Sequence, residues 1–331
     1  MESATQRTLE DLHVGAVILF RRNVGTPTEI AALTARLHAL PSQPLVAIDH
    51  EGGRVMRLGP PFTQFPPAAA IGRTGDANLA YRVGRAMALE LASVGIDMSF
   101  APVLDVHSNP ANPVIGDRAY GSDPAVVSAM GIAMMRGLLD GGVIPCGKHF
   151  PGHGDTARDS HLELPVVRRS REQLERTELV PFRAAIAAAI PMLMTAHVQY
   201  PALDPDHPAT LSRAILTDLL RHALGFTGVI ASDDLYMRAI VDHHSIGEAA
   251  IATLAAGADA LLVCQDLQHA IEAFTAIEPA VGDGTLSATT IAAAAGRSTQ
   301  LRELPARRSS TTCELPNPEH QSLVEEITLK R

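Results

Sequence analysis

Short apolar runs rich in β-branched residues alternate with longer helical stretches over most of this 331-residue chain. The helical stretches have clear start signals. Thr26 precedes Glu29 by three residues and Ser245 precedes Glu248 by three, so each pair can satisfy free backbone N–H groups at a helix start. Continuous apolar strands separated by helices predict a parallel sheet covered by helices. The predicted strands are residues 16–20, 45–49, 98–106, 144–150, 192–198, 228–233 and 260–264.

Polar residues that could carry chemistry follow several of these strands, from one end of the chain to the other. Such a distribution favours a closed barrel over an open sheet, because the mouth of a barrel collects side chains from every strand end. We therefore predict an α/β fold of the (β/α)8 TIM-barrel type. Only seven strands are recognised, so the barrel is expected to be irregular or to lack its first strand. The expected organisation is one catalytic domain over residues 1–331, with a core at about 14–302 and a C-terminal extension at 303–331.

Composition narrows the class of protein. Hydrophobic residues make up 46% and charged residues 19% of the chain, enough to bury a sizeable core. The net charge of −9 comes without a Lys/Arg stripe, so no nucleic-acid partner is expected. The longest apolar runs are too short, or interrupted by Pro191, to cross a membrane, and the N-terminus has no secretory pattern. The three cysteines form no CxxC pair, so we expect a reduced, cytoplasmic protein that holds no metal and no cofactor.

The densest group of titratable residues lies in the loop 148–165, directly after a predicted strand. A carboxylate two residues from an imidazole can fix its tautomer and keep its pKa in the working range, so the pair Asp159 and His161 suits general acid/base chemistry. His153 is either a functional group or a hydrogen-bonded structural one. The candidates in this loop are Lys148, His149, His153, Asp159 and His161.

Three further stretches place polar residues beyond predicted strands. The run 228–234 ends in two aspartates: Asp233 is expected to project from the strand end as a nucleophile, and Asp234 to cap a helix. In the stretch 49–57, two glycines allow a tight turn between Asp49 and Arg57, which can accept from and donate to hydroxyl groups. In the stretch 112–123, the polar group expected to face a ligand is Arg118.

These four stretches, in this order, resemble the β-N-acetylglucosaminidase branch of glycoside hydrolase family 3. The resemblance covers roughly residues 15–265, and the loop 148–165 is its most specific part. It implies an exo-acting retaining β-N-acetylhexosaminidase whose substrate is a small carbohydrate with a terminal β-linked GlcNAc, such as a muropeptide or a related glycoconjugate. His50 departs from the pattern, which has a glutamine there.

The resemblance also implies the residue roles. The position of Asp233 is that of the nucleophile, and the position of His161 is that of the acid/base, assisted by Asp159. The expected mechanism is double displacement through a glycosyl-enzyme. It implies a mobile loop, to which Gly152 and Gly154 would give freedom. The positions that bind the sugar are Asp49, Arg57, Arg118, Lys148 and His149.

The sequence also leaves three alternative functions: a phosphorylase, a metal-dependent hydrolase and a sugar-binding protein. The same residues could support a phosphorylase, because an imidazole base does not repel phosphate as a carboxylate would. A metal-dependent barrel hydrolase could use His149, His197 and Asp233, but such enzymes usually open with an HxH pair and the sequence contains none. A non-catalytic sugar-binding barrel would need stacking platforms, whereas the chain has no Trp and only 4% aromatic residues.

Overall fold

The computed structural model describes residues 2–160, 162–304 and 312–330. Contacts divide the chain into two compact units. The first comprises Met1–Leu104, Asp117–Gly147 and Arg302–Arg331, and the second comprises Asp105–Gly116 and Lys148–Leu301. The expectation of a single domain stays a prediction.

The first unit is built on a four-stranded sheet in the order β1-β2-β5-β6, in which every adjacent pair is parallel. Strand β2 is buried along its whole length, as a central strand covered on both faces must be. A short antiparallel hairpin, β3–β4, follows β2. The elements of this unit are α1 (Ser3–Asp11), β1 (Ala16–Leu19), α2 (Pro27–His38), β2 (Leu45–Ile48), β3 (His50–Gly52), β4 (Val55–Met56), α3 (Ala68–Thr74), α4 (Ala77–Ser93), β5 (Met98–Ser99), α5 (Pro124–Asp140), β6 (Ile144–Pro145) and α12 (Pro318–Leu329).

The second unit contains another four-stranded sheet, in the order β10-β9-β8-β7. Strands β8, β9 and β10 pair in parallel, and the N–H of Ala196 donates to the carbonyl of Phe150 beside β7. A π-helix occupies Ala214–Ala223. The elements are β7 (Gly147–Phe150), α6 (Arg171–Arg176), α7 (Leu179–Ala187), β8 (Met192–Thr195), β9 (Val229–Asp234), α8 (Arg238–Val241), α9 (Ile246–Ala256), β10 (Ala260–Leu262), α10 (Leu267–Gly282) and α11 (Ala288–Arg302).

All seven predicted strand regions contain a strand, but two differ from the expectation. The run 98–106 is a strand only at Met98–Ser99, because Pro102 has no N–H to donate to a ladder. The run 144–150 divides at Cys146, so that β6 pairs in the first sheet and β7 in the second. Among residues 2–15 the chain forms α1 and no additional strand. The two four-stranded sheets of the described residues therefore contain eight strands, one more than the seven expected, because the run 144–150 supplies two of them.

The helix starts follow the sequence signals. Thr26, Ser170 and Ser245 each form a capping box with the residue three positions later. Asp76 and Asp123 cap α4 and α5 with their side chains. Within the described ranges, no helix is long and apolar enough to cross a membrane.

Candidate active site

Asp233 lies at the end of β9, directly after a buried apolar run. Its side chain is half-buried, and its Oδ1 accepts a 2.8 Å hydrogen bond from the N–H of Asp234. Burial alone would raise the pKa of Asp233, but His197, His149 and Lys148 outweigh it and hold the pKa below the ordinary 3.8. Asp233 is therefore an ionised carboxylate at neutral pH, the form that a nucleophile requires.

Asp234 does not cap a helix, so that prediction was wrong. Helix α8 starts only at Arg238, with Met237 at its N-cap. The Asp234 Oδ1 instead accepts from the N–H groups of Tyr236 and Cys264, both at 3.1 Å. Burial raises the pKa of this carboxyl, the opposite direction from its neighbour. The carboxyl of Asp234 therefore joins the end of β9 to the segment after β10.

His197 is fully buried beside Asp233 and is held at both ring nitrogens. Its Nε2 lies 2.9 Å from the carbonyl oxygen of Asp234, and its Nδ1 lies 2.8 Å from Thr210 Oγ1. Burial lowers the pKa of His197, so the ring is neutral. Because a carbonyl only accepts, Nε2 carries the hydrogen and Nδ1 accepts from Thr210. His197 thus supports the strand end with both nitrogens engaged, as a metal ligand would not be.

His149 is buried at the end of β7 and depends on Asp105. Its Nδ1 lies 2.7 Å from Asp105 Oδ2, while Asp105 Oδ1 accepts from the backbone N–H groups of His149 (3.2 Å) and His153 (2.6 Å). Burial would raise the pKa of Asp105, but the two histidines hold it below the ordinary value. The Nδ1 of His149 therefore donates to Asp105, so that Nε2 is the acceptor when the ring carries a single hydrogen.

Sequence reasoning missed Asp105, although a signal for it existed. Asp105 is a lone carboxylate at the end of the predicted strand 98–106, the kind of position that marked Asp233 and Asp49. Unlike Asp49 and Asp233, Asp105 is not the last residue of its predicted strand, because the apolar Val106 follows it.

Lys148 precedes His149 in β7 and is 2% exposed. Its positive charge contributes to the lowered pKa of Asp233. The second unit therefore brings together three of the predicted site residues, Lys148, His149 and Asp233. Among the described residues, no group of three His, Cys, Asp or Glu side chains has a metal-binding arrangement.

Of the predicted acid/base pair, Asp159 lies within the described residues and His161 lies outside them. Asp159 is half-buried, and its carbonyl accepts from the N–H groups of Leu162 and Glu163 in a tight turn. Leu162 is 63% exposed, so this turn forms the outer part of the loop.

The inner part of the same loop is buried and tightly packed. A Cβ on Gly154 would lie 1.6 Å from the carbonyl oxygen of Val106, and one on Gly152 would lie 2.7 Å from the Cβ of Glu178. The two glycines thus permit close packing and do not provide the freedom that the sequence suggested. His153 between them is 2% exposed, with its ring hydrogen-bonded to Thr156 and Ser160. Of the two interpretations left open, the structure supports the hydrogen-bonded structural one.

In the first unit, Asp49 and Arg57 form an ion pair of 2.9 Å. The hairpin β3–β4 returns the chain so that the two residues meet. Gly52 adopts a φ of +103° at the turn, and a Cβ there would lie 2.6 Å from the carbonyl oxygen of Pro66. The guanidinium of Arg57 also lies 5.7 Å from the centroid of the Phe20 ring. An acceptor and a multiple donor are thus held side by side, as a polyhydroxylated ligand would require.

Arg118 ends a 3₁₀ turn at Gly116–Arg118 and is held by Glu51. Its Nε and Nη2 donate to the two Glu51 oxygens at 2.9 and 2.8 Å, and both side chains are largely buried. Sequence reasoning missed this partner. A bidentate pair of this kind fixes the plane of the guanidinium.

Comparison with known proteins identifies close relatives. The model of the Glycosyl hydrolase family 3 N terminal domain matches residues 1–301. A beta-hexosaminidase of Thiobacillus denitrificans is 44% identical over 280 residues, which cover 82% of this chain and 77% of the relative. A beta-hexosaminidase of Nitrosomonas eutropha is 43% identical over 80% of this chain and 78% of its own length.

Solved structures agree with this relationship. A glycoside hydrolase family 3 beta-N-acetylglucosaminidase from Paenibacillus sp. str. FPU-7 superposes with a TM-score of 0.95 and 41% identity, covering 99% of this chain. This chain spans only 65% of that protein. NagZ from Neisseria gonorrhoeae has a TM-score of 0.84 and 35% identity, covering 100% of this chain and 94% of its own. The predicted fold class, an irregular α/β barrel type with parallel strands, is confirmed by these matches.

Proposed function

This chain belongs to glycosyl hydrolase family 3, and on that premise we propose that it is a retaining exo-β-N-acetylglucosaminidase acting through a glycosyl-enzyme. The enzyme class expected from the sequence, a β-N-acetylhexosaminidase, is confirmed by the curated relatives, which are beta-hexosaminidases. The proposed substrates are muropeptides or related glycoconjugates with a terminal β-linked GlcNAc. The observation that carries the mechanism is the position of the Asp233 carboxylate at the end of β9, where its Oδ1 accepts from the N–H of Asp234.

Neighbouring groups stabilise that ionised state. The positive charge of Lys148 and the hydrogen bond from the N–H of Asp234 lower the pKa of Asp233 against the effect of burial. A half-buried carboxylate that stays ionised is poorly shielded by water, which favours attack on an electrophilic carbon. Asp234, only one residue away, has the opposite pKa direction and two backbone donors. We assign the nucleophile to Asp233 on this contrast.

In the first step, an Asp233 oxygen attacks the anomeric carbon while the bond to the leaving oxygen breaks. His161 gives its proton to that oxygen. In the second step, neutral His161 takes a proton from water, whose oxygen attacks the same carbon and releases Asp233. Two inversions give net retention. Asp159 is assigned the task of orienting the imidazole and stabilising its charge.

Five residues are proposed to bind the terminal sugar. The acceptor of this set is the carboxylate of Asp49, and the arginines donate from guanidinium groups that other side chains already hold in place. Because His149 Nδ1 is bonded to Asp105, its Nε2 can accept a hydrogen bond from a sugar hydroxyl group. The set is Asp49, Arg57, Arg118, Lys148 and His149.

We also propose a single catalytic domain in the cytoplasm that requires no metal and no cofactor. Cys146, Cys264 and Cys313 form no disulfide in the described part of the chain, which suits a reducing compartment. The steps above need only a carboxylate and an imidazole, so no metal or cofactor enters them.

Hydrolysis of an aryl β-N-acetylglucosaminide, with the Asp233→Asn and Asp234→Asn variants in parallel, tests this proposal. Asp233→Asn is expected to lose about 10³-fold or more in kcat, since the nucleophile is removed. Asp234→Asn keeps an amide oxygen for the N–H groups of Tyr236 and Cys264, so it should lose about tenfold or less.

The product distinguishes hydrolysis from the phosphorylase alternative. Free GlcNAc with no effect of added phosphate supports the hydrolase, whereas GlcNAc 1-phosphate and faster turnover in phosphate would establish phosphorolysis. A cooperatively folding parent protein that releases no aryl group would overturn the enzyme assignment and favour a sugar-binding protein.

A further inference from the structure

The proposed sugar-binding pair Asp49 and Arg57 flanks the short hairpin β3–β4 of the first unit. Asp49 directly precedes β3, and Arg57 directly follows β4. Within the hairpin, His50 pairs with Met56. The geometry of the hairpin therefore sets how the carboxylate and the guanidinium lie relative to each other, so contacts that hold the hairpin also hold the pair.

The segment 63–66 packs against the turn of this hairpin. The N–H of Gly53 donates to the carbonyl of Phe65 at 2.8 Å. A Cβ on Gly52 would lie 2.6 Å from the carbonyl oxygen of Pro66, so the two backbones are in direct contact. Because backbone packs on backbone here, a displacement of the segment would move the turn with it.

The same segment also contacts the chain just beyond β4. Gln64 Nε2 donates to the carbonyl of Phe62 at 2.7 Å and to the carbonyl of Leu58 at 3.3 Å. Leu58 is the residue after Arg57, and it is 1% exposed. The segment 63–66 thus contacts both the turn of the hairpin and the residue that follows the guanidinium.

A buried carboxyl group, that of Glu90 in α4, holds the segment in turn. Its Oε2 accepts from the N–H of Thr63 at 2.8 Å, and its Oε1 accepts from the Thr63 hydroxyl at 2.6 Å. His320 Nδ1 in α12 lies 2.7 Å from the same Oε1. Glu90 is 2% exposed. A carboxyl group taken out of water is unfavourable unless its oxygens are hydrogen-bonded, so loss of one donor favours a shift of Glu90 and of Thr63 with it.

We infer that His320 is a positioning residue for the proposed sugar-binding pair and acts through Glu90 and the segment 63–66. This inference rests on the proposed function. His320 is itself well fixed, because it is 7% exposed and its backbone N–H donates to Asn317 Oδ1 at the start of α12. Helix α12 is thereby given a part in sugar binding in addition to its packing role.

A double-mutant cycle separates this role from a merely structural one. His320→Leu removes the donor and should lower kcat/KM on an aryl β-N-acetylglucosaminide about fivefold to fiftyfold. Arg57→Lys should lower the same value by itself, because an ammonium group cannot reproduce the guanidinium geometry. In the double variant the further loss from His320→Leu should shrink below about twofold, since the group that the hairpin positions has already been lost.

Glu326→Gln is the matched control in the same helix. It weakens the contact of Glu326 with the Arg82 guanidinium, which does not involve Glu90. It should therefore leave kcat/KM within about twofold of the parent protein. His320→Asn keeps a side-chain N–H donor for Glu90 and should recover most of the kcat/KM that His320→Leu loses.

The outcomes distinguish this inference from the proposed function. If His320→Leu does not fold, Thr63→Val removes the hydroxyl that donates to Glu90 and should show the same dependence on Arg57. The same fold loss from His320→Leu with Arg57 or with Arg57→Lys, no loss at all, or an equal loss in Glu326→Gln overturns the positioning role alone. No loss in Arg57→Lys overturns the sugar-binding assignment and this inference with it.

Discussion

One buried carboxylate, that of Asp105, holds two histidines by three hydrogen bonds. Its contact with His149 Nδ1 decides which ring nitrogen is left for a ligand. At metal sites, mutation of the carboxylate partner of a ligating histidine typically costs 10- to 100-fold in affinity or activity, and we expect an effect of this order here. The proposed sugar-binding role of His149 therefore depends on a residue that touches no sugar.

Asp105→Asn tests this dependence. The amide oxygen can still accept the two backbone N–H groups, so the amide NH2 would face His149 Nδ1 and move the ring hydrogen to Nε2. His149 could then no longer accept from a sugar hydroxyl, and kcat/KM on an aryl β-N-acetylglucosaminide should fall about 10- to 100-fold. Asp97→Asn is the matched control, because Asp97 holds His38 at the same 2.7 Å outside the proposed site. Equal kcat/KM losses in the two variants would contradict the assignment.

At the scale of elements, the loop 148–165 has two parts that differ in burial and in packing. Its first part is buried and packs backbone against backbone, as the approach of Gly154 to Val106 shows. Its second part is an exposed turn at Leu162. The two parts of the loop therefore differ in how closely they pack against the rest of the second unit.

Gly154→Ala tests the packed part. A Cβ 1.6 Å from the Val106 carbonyl cannot be accommodated without moving the backbone, so we expect a loss of about 1–3 kcal/mol or more in the free energy of unfolding. Gly296→Ala in α11 is the control. A Cβ there meets nothing within 4 Å, and alanine favours a helix interior, so stability should rise by up to about 1 kcal/mol. Urea unfolding of both variants measures the difference. A neutral Gly154→Ala would mean that this packing is looser than the structure indicates.

The sequence was sufficient for the elements and for most of the residues brought together at the strand ends. Strand positions followed from apolar runs and helix starts from capping boxes, since both depend on local chemistry. Asp105, Glu51 and Glu90 were missed because their importance comes from partners 44, 67 and 230 residues away, respectively. Gly154 was misinterpreted for the same reason: a glycine looks alike in sequence whether it provides freedom or close approach.

At the scale of the whole molecule, the predicted C-terminal extension includes α12, which packs into the first unit. Ile327 is fully buried, and the Arg82 guanidinium binds both carboxylate oxygens of Glu326 at 2.8 Å. His320 lies 2.7 Å from the buried Glu90, which also accepts from Thr63. Helix α12 therefore stabilises the first unit through its own side chains.

Buried titratable groups in both units make the free energy of unfolding depend on pH. The histidines and Glu178 change it in opposite directions. Burial lowers the pKa of His50 and of His197, so protons bind the unfolded chain more readily and acid destabilises the fold. Burial raises the pKa of Glu178, so protonation of this carboxyl favours the folded state as the pH falls. The balance between these groups contributes to how far the free energy of unfolding falls at low pH.

His50→Gln isolates one of these two histidine effects. Burial, with a smaller contribution from Arg57 and against the effect of Glu90, lowers the pKa of His50 from 6.5 to about 4. Between these two pH values the unfolded chain binds a proton that the folded chain does not, so the free energy of unfolding rises with pH across that window. The full difference is about 3 kcal/mol, present above pH 6.5 and lost as the pH falls to about 4.

Glutamine cannot titrate, so urea unfolding of His50→Gln at several pH values should show a free energy of unfolding that changes less with pH, by about that amount. His222→Gln, at an exposed ring, is the control for the loss of an imidazole. Parallel profiles for the parent and His50→Gln would show that His50 does not make the free energy of unfolding depend on pH.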